Sequence, residues 1–299
     1  MLPLFDAHNH LHDEWLTPHR SRILTDLSAA GVRSCVVTGS HERDWPEVVA
    51  LCSTPRVAQS SSGDPTNVHL LPSFGVHPWD VGNRTPEWQR TLLRYLDETP
   101  TAAIGEIGLD RWMLDRARPD DPRLAGLRRA PLDEQIEVFR WQLTLAAERN
   151  LPASIHCLDA FGALHDVLRS TPLPPRGFLL HAYNGSTELA DAFVKLGAYF
   201  SFNGAFIEPR KERLRELYTQ IPAERLLIET DAPAMRLPAD REKFTLPDTD
   251  EGDPVNHPAN LVATYAALAE LRGVPLDSLC TQIARNFGRL FNSGDPPTD

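Results

Sequence analysis

The chain has 299 residues, 41% hydrophobic and 24% charged, a composition that excludes a disordered chain, and it contains no apolar run near the about 20 residues needed to span a bilayer. With 30 Lys and Arg against 41 Asp and Glu the formal net charge is -11, which excludes an extended basic surface for tracking nucleic acid, so any phosphate must be held locally. Cys35, Cys52, Cys157 and Cys280 lack C-x-x-C spacing, which argues against a disulfide framework or a zinc knuckle. The start, MLPLFDAHNH, has no basic n-region leading into a long apolar h-region, so a cytoplasmic protein without membrane association is expected. No feature requires an obligate protein partner.

In chain order, short β-rich apolar runs alternate with longer helical patterns. The runs are LFDAH (4–8), SCVVTG (34–39), LLPSFGV (70–76), AAIGEIG (102–108), ASIHC (153–157), FLLHAY (178–183), AYFSF (198–202) and LLIETD (226–231). Between the fourth and fifth, PLDEQIEVFRWQLTLAAERN opens on acids and places Ile136, Phe139, Leu143, Leu145 and Ala146 at roughly helical spacing. Two Pro- and Asp-rich segments, 111–130 and 236–258, read as long loops. After them NHPANLVATYAALAELRG and LDSLCTQIARNFGRLF read as closing amphipathic helices. Eight strand-helix units over residues 1–299 predict a single-domain (β/α)8 TIM-type barrel, with an open doubly wound sheet as the alternative. GEIGLD has the wrong glycine spacing for a dinucleotide-binding fingerprint.

Within LFDAHNHLH, strand alternation points His8 and His10 to one face, with His12 beyond them at the strand's end. A lone His-x-His is usually a pair of polar residues leaving a strand, so a metal reading needs further ligands. Barrel sites are built from strand C-terminal ends, and Glu106, His156, His181 and Asp231 all stand where an apolar run stops. Their intervals are whole multiples of a unit of roughly 25 to 32 residues, apart from the step to His156, where the loop 111–130 absorbs the excess. Singly, each residue reads as a solvated end, a rim histidine or an N-cap. Jointly, four imidazoles and two carboxylates at one end of one barrel are too many buried polar groups to stand without an ion. The nitrogen and oxygen donors suit zinc, manganese, iron or magnesium and exclude a thiolate site, since Cys157 alternates away from His156.

The motifs FDAHNHL, GVHPW, AIGEIGLD, QLTLAAERNLPASIHC, LLHAYNGS, YFSFNG, RLLIETDAP and ARNFGRLF, spread from Leu4 to Phe291, resemble those of the TatD family of metal-dependent deoxyribonucleases among the amidohydrolase-like barrels. The resemblance implies two divalent metal ions, zinc, magnesium or manganese. His8, His10 and Asp231 would hold one, His156 and His181 the second, and Glu106 would bridge them. A Glu at the fourth strand, where many amidohydrolases carry a carbamylated lysine, favours this family. The chain departs from its pattern at His12, where Asp is usual, in LLHAYNGS, and at Val255, Asn256, His257 and Pro258, where Arg-Asn-Glu-Pro is usual. Those changes fall on the substrate rim.

Two such metals activate a hydroxide and clamp the oxygens of an in-line displacement. Asp231 is assigned as general base as well as ligand, and Glu106 as the group fixing the metal separation. His77 and Asp110 are assigned to substrate or attacking water, and Asn184, Asn203 and Arg210 to the cleft. The expected activity is a phosphodiesterase trimming DNA from an end. A deacylase or other amide or ester hydrolase, and a non-catalytic metal-stabilised binding protein, are the alternatives. Arg111, Trp112, Arg116, Arg118, Arg123, Arg128 and Arg129 offer basic and aromatic groups for a strand, or equally a solvated face.

Overall fold

Each of the eight apolar runs forms a strand in the computed structural model, which describes residues 2–53, 68–249 and 251–291. They are β1 (Leu4–Asn9), β2 (Val32–Thr38), β3 (His69–Phe74), β4 (Ala103–Asp110), β5 (Ala153–Leu158), β6 (Phe178–Leu180), β7 (Ala198–Asn203) and β8 (Leu226–Glu229). The helices described are α1 (Arg20–Ala29), α2 (Trp45–Cys52), α3 (Trp88–Glu98), α4 (Trp112–Asp115), α5 (Leu132–Arg149), α6 (Phe161–Arg169), α7 (Thr187–Lys195), α8 (Glu212–Gln220), α9 (Leu261–Arg272) and α10 (Leu276–Phe291). The strands make one sheet in the order β1 to β8, and the pairs β1–β2, β3–β4, β4–β5, β5–β6 and β6–β7 are parallel. β1 also packs against β8. Sequential parallel order with first strand against last is the (β/α)8 barrel that the alternation predicts.

By their contacts the residues group into two compact units, one of 1–37, 47–71 and 201–299, the other of 38–46 and 72–200. In the first, β1 and the residues after β8 are joined by backbone hydrogen bonds: Asp231 N–H donates to His8 O at 3.0 Å and His10 N–H to Ala232 O at 2.8 Å. The closing helices seal this pair. Buried Tyr265 on α9 accepts from Phe5 N–H at 2.9 Å and donates to Phe5 O at 3.0 Å. Buried Asn286 on α10 donates to the carbonyls of Ala223 and Leu226 at 2.8 and 2.7 Å.

In the second unit every residue of β4 is buried, as a strand covered on both faces requires. α5 packs on it, with Asp133 and Glu134 in the first turn and left-handed Asn150 ending it. Its buried face differs from the predicted stripe: Ile136 is only half-buried, while Gln135 and Gln142 are fully buried. They belong there because strand ends leave polar backbone inside. Gln135 Oε1 accepts from Asp110 N–H at 2.8 Å and its amide donates to Asp110 O at 3.1 Å; Gln142 makes the same pair with Val76, at 2.8 and 3.2 Å. β4 runs on to Asp110, beyond the predicted end, and β6 stops at Leu180, leaving His181 just past it. The segment 111–130 contains α4 and a 3-10 turn at Pro122–Leu124, and 236–258 contains one at Ala239–Arg241.

β4 and β5 approach so closely at Gly108, paired with His156, that a Cβ there would stand 1.9 Å from His156 O, and its φ is 145°. Only glycine fits both the space and the backbone. Gly108→Ala is therefore expected to destabilise the protein by about 2 to 3 kcal/mol, seen as a lower midpoint of urea unfolding. An unchanged midpoint would contradict this packing.

Candidate active site

The first unit brings His8, His10 and Asp231 together. His8 is fully buried at the end of β1, His10 follows it, and Asp231 lies two residues beyond β8. His8 Nε2 and His10 Nε2 are 3.3 Å apart, and Asp231 Oδ1 is 3.6 and 3.5 Å from them. Donors around a tetrahedral ion with bonds of about 2.0 to 2.1 Å stand roughly 3.3 to 3.4 Å from one another, so this triangle fits a metal ion. Asp231 has a φ of 51°, a left-handed turn that non-glycine residues adopt at a cost and that concentrates at functional sites. Below the triangle, buried Asp6 accepts from Thr230 N–H (3.0 Å), Thr230 Oγ1 (2.6 Å), Asn9 Nδ2 (3.0 Å) and His8 N–H (3.3 Å). Burial pushes its carboxyl up to about 7 against the pull of those donors.

The second unit centres on Glu106, which is 4% exposed. Its Oε1 lies 2.8 Å from His181 Nε2, 3.1 Å from His156 Nδ1 and 3.4 Å from His77 Nε2, while His156 Nδ1 and His181 Nε2 are 3.4 Å apart. The histidines do different work. His77 Nδ1 accepts from Trp79 N–H at 3.2 Å, so in the neutral ring Nε2 carries the proton and is a donor toward Glu106 rather than a metal ligand. His156 turns Nε2 to the Asp110 carboxylate at 3.2 Å, which leaves the Nδ1 lone pair for an ion beside Glu106 and His181. Burial opposes charging of His156, but its hydrogen bonds to Asp110 and Glu106 prevail and raise it to about 8. Asp110 is pushed up by burial and pulled down further by His156, Met113 N–H and the Trp79 indole, which donates at 2.6 Å; it ends below the ordinary carboxyl value.

The remaining candidates are more scattered. Asn184 is exposed beyond β6, and exposed Arg210 is paired with Glu208 at 2.5 Å. Asn203, expected in the cleft, is fully buried: its Nδ2 donates to Glu229 Oε1 and Thr230 O, both at 3.3 Å, and its Oδ1 accepts from Ala205 N–H, so the amide braces strand ends. Much of the arginine loop is occupied within the protein. Arg111 pairs with Asp115, Arg116 with Asp159, Arg123 with Asp121 and Arg128 with Glu134, and Arg129 donates to the carbonyls of Met113 and Ala117. Sequence reasoning missed Asp6 and Trp79. Asp6 carried a signal, since it alternates in register with His8 and His10; Trp79 carried none in its spacing.

A parallel barrel whose strand ends gather imidazoles and carboxylates within ligand distance of one another has the build of a metal-dependent hydrolase. Residues 5–292 match the TatD related DNase family, and the chain belongs to that family and is a metal-dependent hydrolase. It is 31% identical to the 3'-5' ssDNA/RNA exonuclease TatD of Salmonella typhimurium, covering 96% of this chain and 98% of that protein. It is 28% identical to the uncharacterized metal-dependent hydrolase YabD of Bacillus subtilis, covering 96% and 98%. The crystal structure of YjjV, a TatD homologue from Escherichia coli, superposes with a TM-score of 0.78 at 27% identity, covering 97% of this chain and 98% of that one.

Asp110→Asn keeps the shape of the carboxylate and removes the charge that orients His156. Its affinity for zinc or manganese, measured by competition with a chelator, is expected to fall about 10- to 100-fold. A change below about twofold would contradict the orienting role.

Proposed function

We propose that the protein is an exonuclease that releases nucleotides from single-stranded or frayed DNA ends, using two divalent ions drawn from zinc, magnesium or manganese. The observation that carries this reading is the pair of donor sets, His8 with His10 and Asp231 at 3.3 to 3.6 Å, and Glu106 with His156 and His181 at 2.8 to 3.4 Å. In this reading the first set would hold one ion and His156, His181 and Glu106 would hold the other, with Glu106 the residue proposed to fix their separation. When bound, such ions lower the pKa of water in the site and neutralise the phosphate oxygens.

The chain's own groups supply the rest. Asp231 takes a proton from the attacking water, whose oxygen forms the new bond to phosphorus as the bond to the leaving nucleotide oxygen breaks, and that oxygen takes up a proton to leave as a hydroxyl while Asp231 returns its own to solvent. His77, whose Nε2–H faces Glu106 at 3.4 Å, turns that hydrogen to a substrate oxygen when the strand is bound, and Asp110 keeps His156 in its ligating orientation. Asn184 and Arg210 are proposed contacts farther along the strand. Relatives named as 3'-5' ssDNA/RNA exonucleases support the substrate class. The charge of -11 supports action at an end, because few phosphates can be gripped, and it predicts weak dependence on salt. Four free thiols support a reducing compartment, the cytoplasm. No helix among the described residues is long and apolar enough to cross a membrane.

Asp231→Asn is expected to lower kcat about 10²- to 10⁴-fold while the fold persists, as followed by steady-state kinetics and circular dichroism. A near wild-type rate would contradict its role as base. Circular and linear single-stranded DNA of one sequence separate the modes of attack: the linear strand should be degraded and the circle spared. Equal loss of both contradicts end-directed action, and turnover of esters or amides with neither DNA touched would replace the nuclease by a deacylase.

A further inference from the structure

We propose that Trp79, Trp112 and Arg123 form a stacking subsite for a nucleobase of the substrate strand, immediately beside the metal ligands. The inference rests on the nuclease reading and adds a recognition element that none of the metal ligands provides. Trp79 is half-buried after β3, and its indole N–H donates to Asp110 Oδ2 at 2.6 Å, the same oxygen that stands 3.2 Å from His156 Nε2. Its ring is therefore one carboxylate removed from a metal ligand. Trp112, also half-buried, opens α4 directly after β4 and stacks on Trp79 with centroids 6.1 Å apart and planes 29° apart. Arg123 lays its guanidinium over the Trp112 ring, with Cζ 4.4 Å from the centroid. Its side chain stays 59% exposed.

The arrangement is fixed before any ligand arrives. Arg123 Nε and Nη2 donate to the two oxygens of Asp121 at 2.9 and 2.8 Å, and this hydrogen bonding holds the Asp121 carboxyl down to about 2. The guanidinium is thus pinned flat and its charge is matched. A matched charge is a poor trap for a phosphate, but the exposed guanidinium, backed flat by the Trp112 ring, remains a good stacking surface for a base. Among the loop arginines Arg128 is forked onto Glu134 and Arg129 onto backbone carbonyls, which leaves Arg123 as the one in this loop lying on an aromatic ring. Stacking is available only to a base that has left its own helix. The subsite therefore selects unpaired ends, tolerates every sequence and depends little on salt.

The test is steady-state hydrolysis, by the metal-loaded enzyme, of short single-stranded oligonucleotides that are either intact or lack the base at one of the two end nucleotides. Wild-type enzyme should show a KM about 5- to 50-fold higher for one of the abasic substrates. Trp112→Ala and Arg123→Gln should raise KM for the intact strand and erase the difference, and Trp112→Phe should retain most of it. Equal KM values for intact and abasic strands in wild type would overturn the subsite. So would discrimination kept in full by both Trp112→Ala and Arg123→Gln. If Trp112→Ala does not fold, Arg123→Gln against Trp112→Phe decides on the same readout. Failure of wild type to cleave any oligonucleotide would overturn the nuclease reading itself, a result distinct from cleavage without base preference.

Discussion

Glu106, buried with one oxygen 2.8 to 3.4 Å from three imidazole nitrogens, is the constraint on which its half of the structure depends. A carboxylate removed from water needs a matching positive charge, which the single N–H that neutral His77 turns toward it does not supply. A cation does. The same need shows in His156, which its hydrogen bonds to Asp110 and Glu106 raise to about 8 against the opposing effect of burial. The surroundings read as the means of keeping this arrangement in place. Gly108 lets β4 close on His156, Gln135 ties down both backbone polar groups of Asp110, and Asp110, steadied by Trp79, aligns the imidazole.

The other donor set is supported by a different device with the same purpose. Asp6 joins the end of β1 to the residues after β8 through Thr230, so the strand carrying His8 and the turn carrying Asp231 are tied by one carboxylate. Its hydrogen bonds compete with a burial cost large enough to lift its carboxyl to about 7. An arrangement that costly is retained where position matters more than stability. The left-handed Asp231 fits the same pattern.

How much of this was legible follows from what each signal depends on. β-strands buried on both faces are written as continuous apolar runs, so all eight were readable, and their ends pointed to His8, Glu106, His156, His181 and Asp231 because a barrel places reactive groups there. The helix after β4 was readable as a helix but not in its buried face. Gln135 and Gln142 serve strand ends from inside the core, and polar residues with that task are invisible to apolar periodicity, which chose Ile136 instead. The same blindness hid Asp6. Asn203 misled in the opposite direction: a polar residue after a strand reads as a cleft residue, whereas its amide is turned inward to Glu229 and Thr230. The arginines of 111–130 were visible as charge only, since ion pairing to Asp115, Asp121, Glu134 and Asp159 depends on how the loop folds.

Each donor set has the spacing to hold one divalent ion. Anomalous diffraction from crystals of the manganese-loaded protein decides whether each does, because the peaks locate ions without reference to activity. Two peaks per chain are expected, one bounded by His8, His10 and Asp231 and the other by Glu106, His156 and His181. A single peak, or none at these residues in saturated crystals, would contradict binding of an ion by each set.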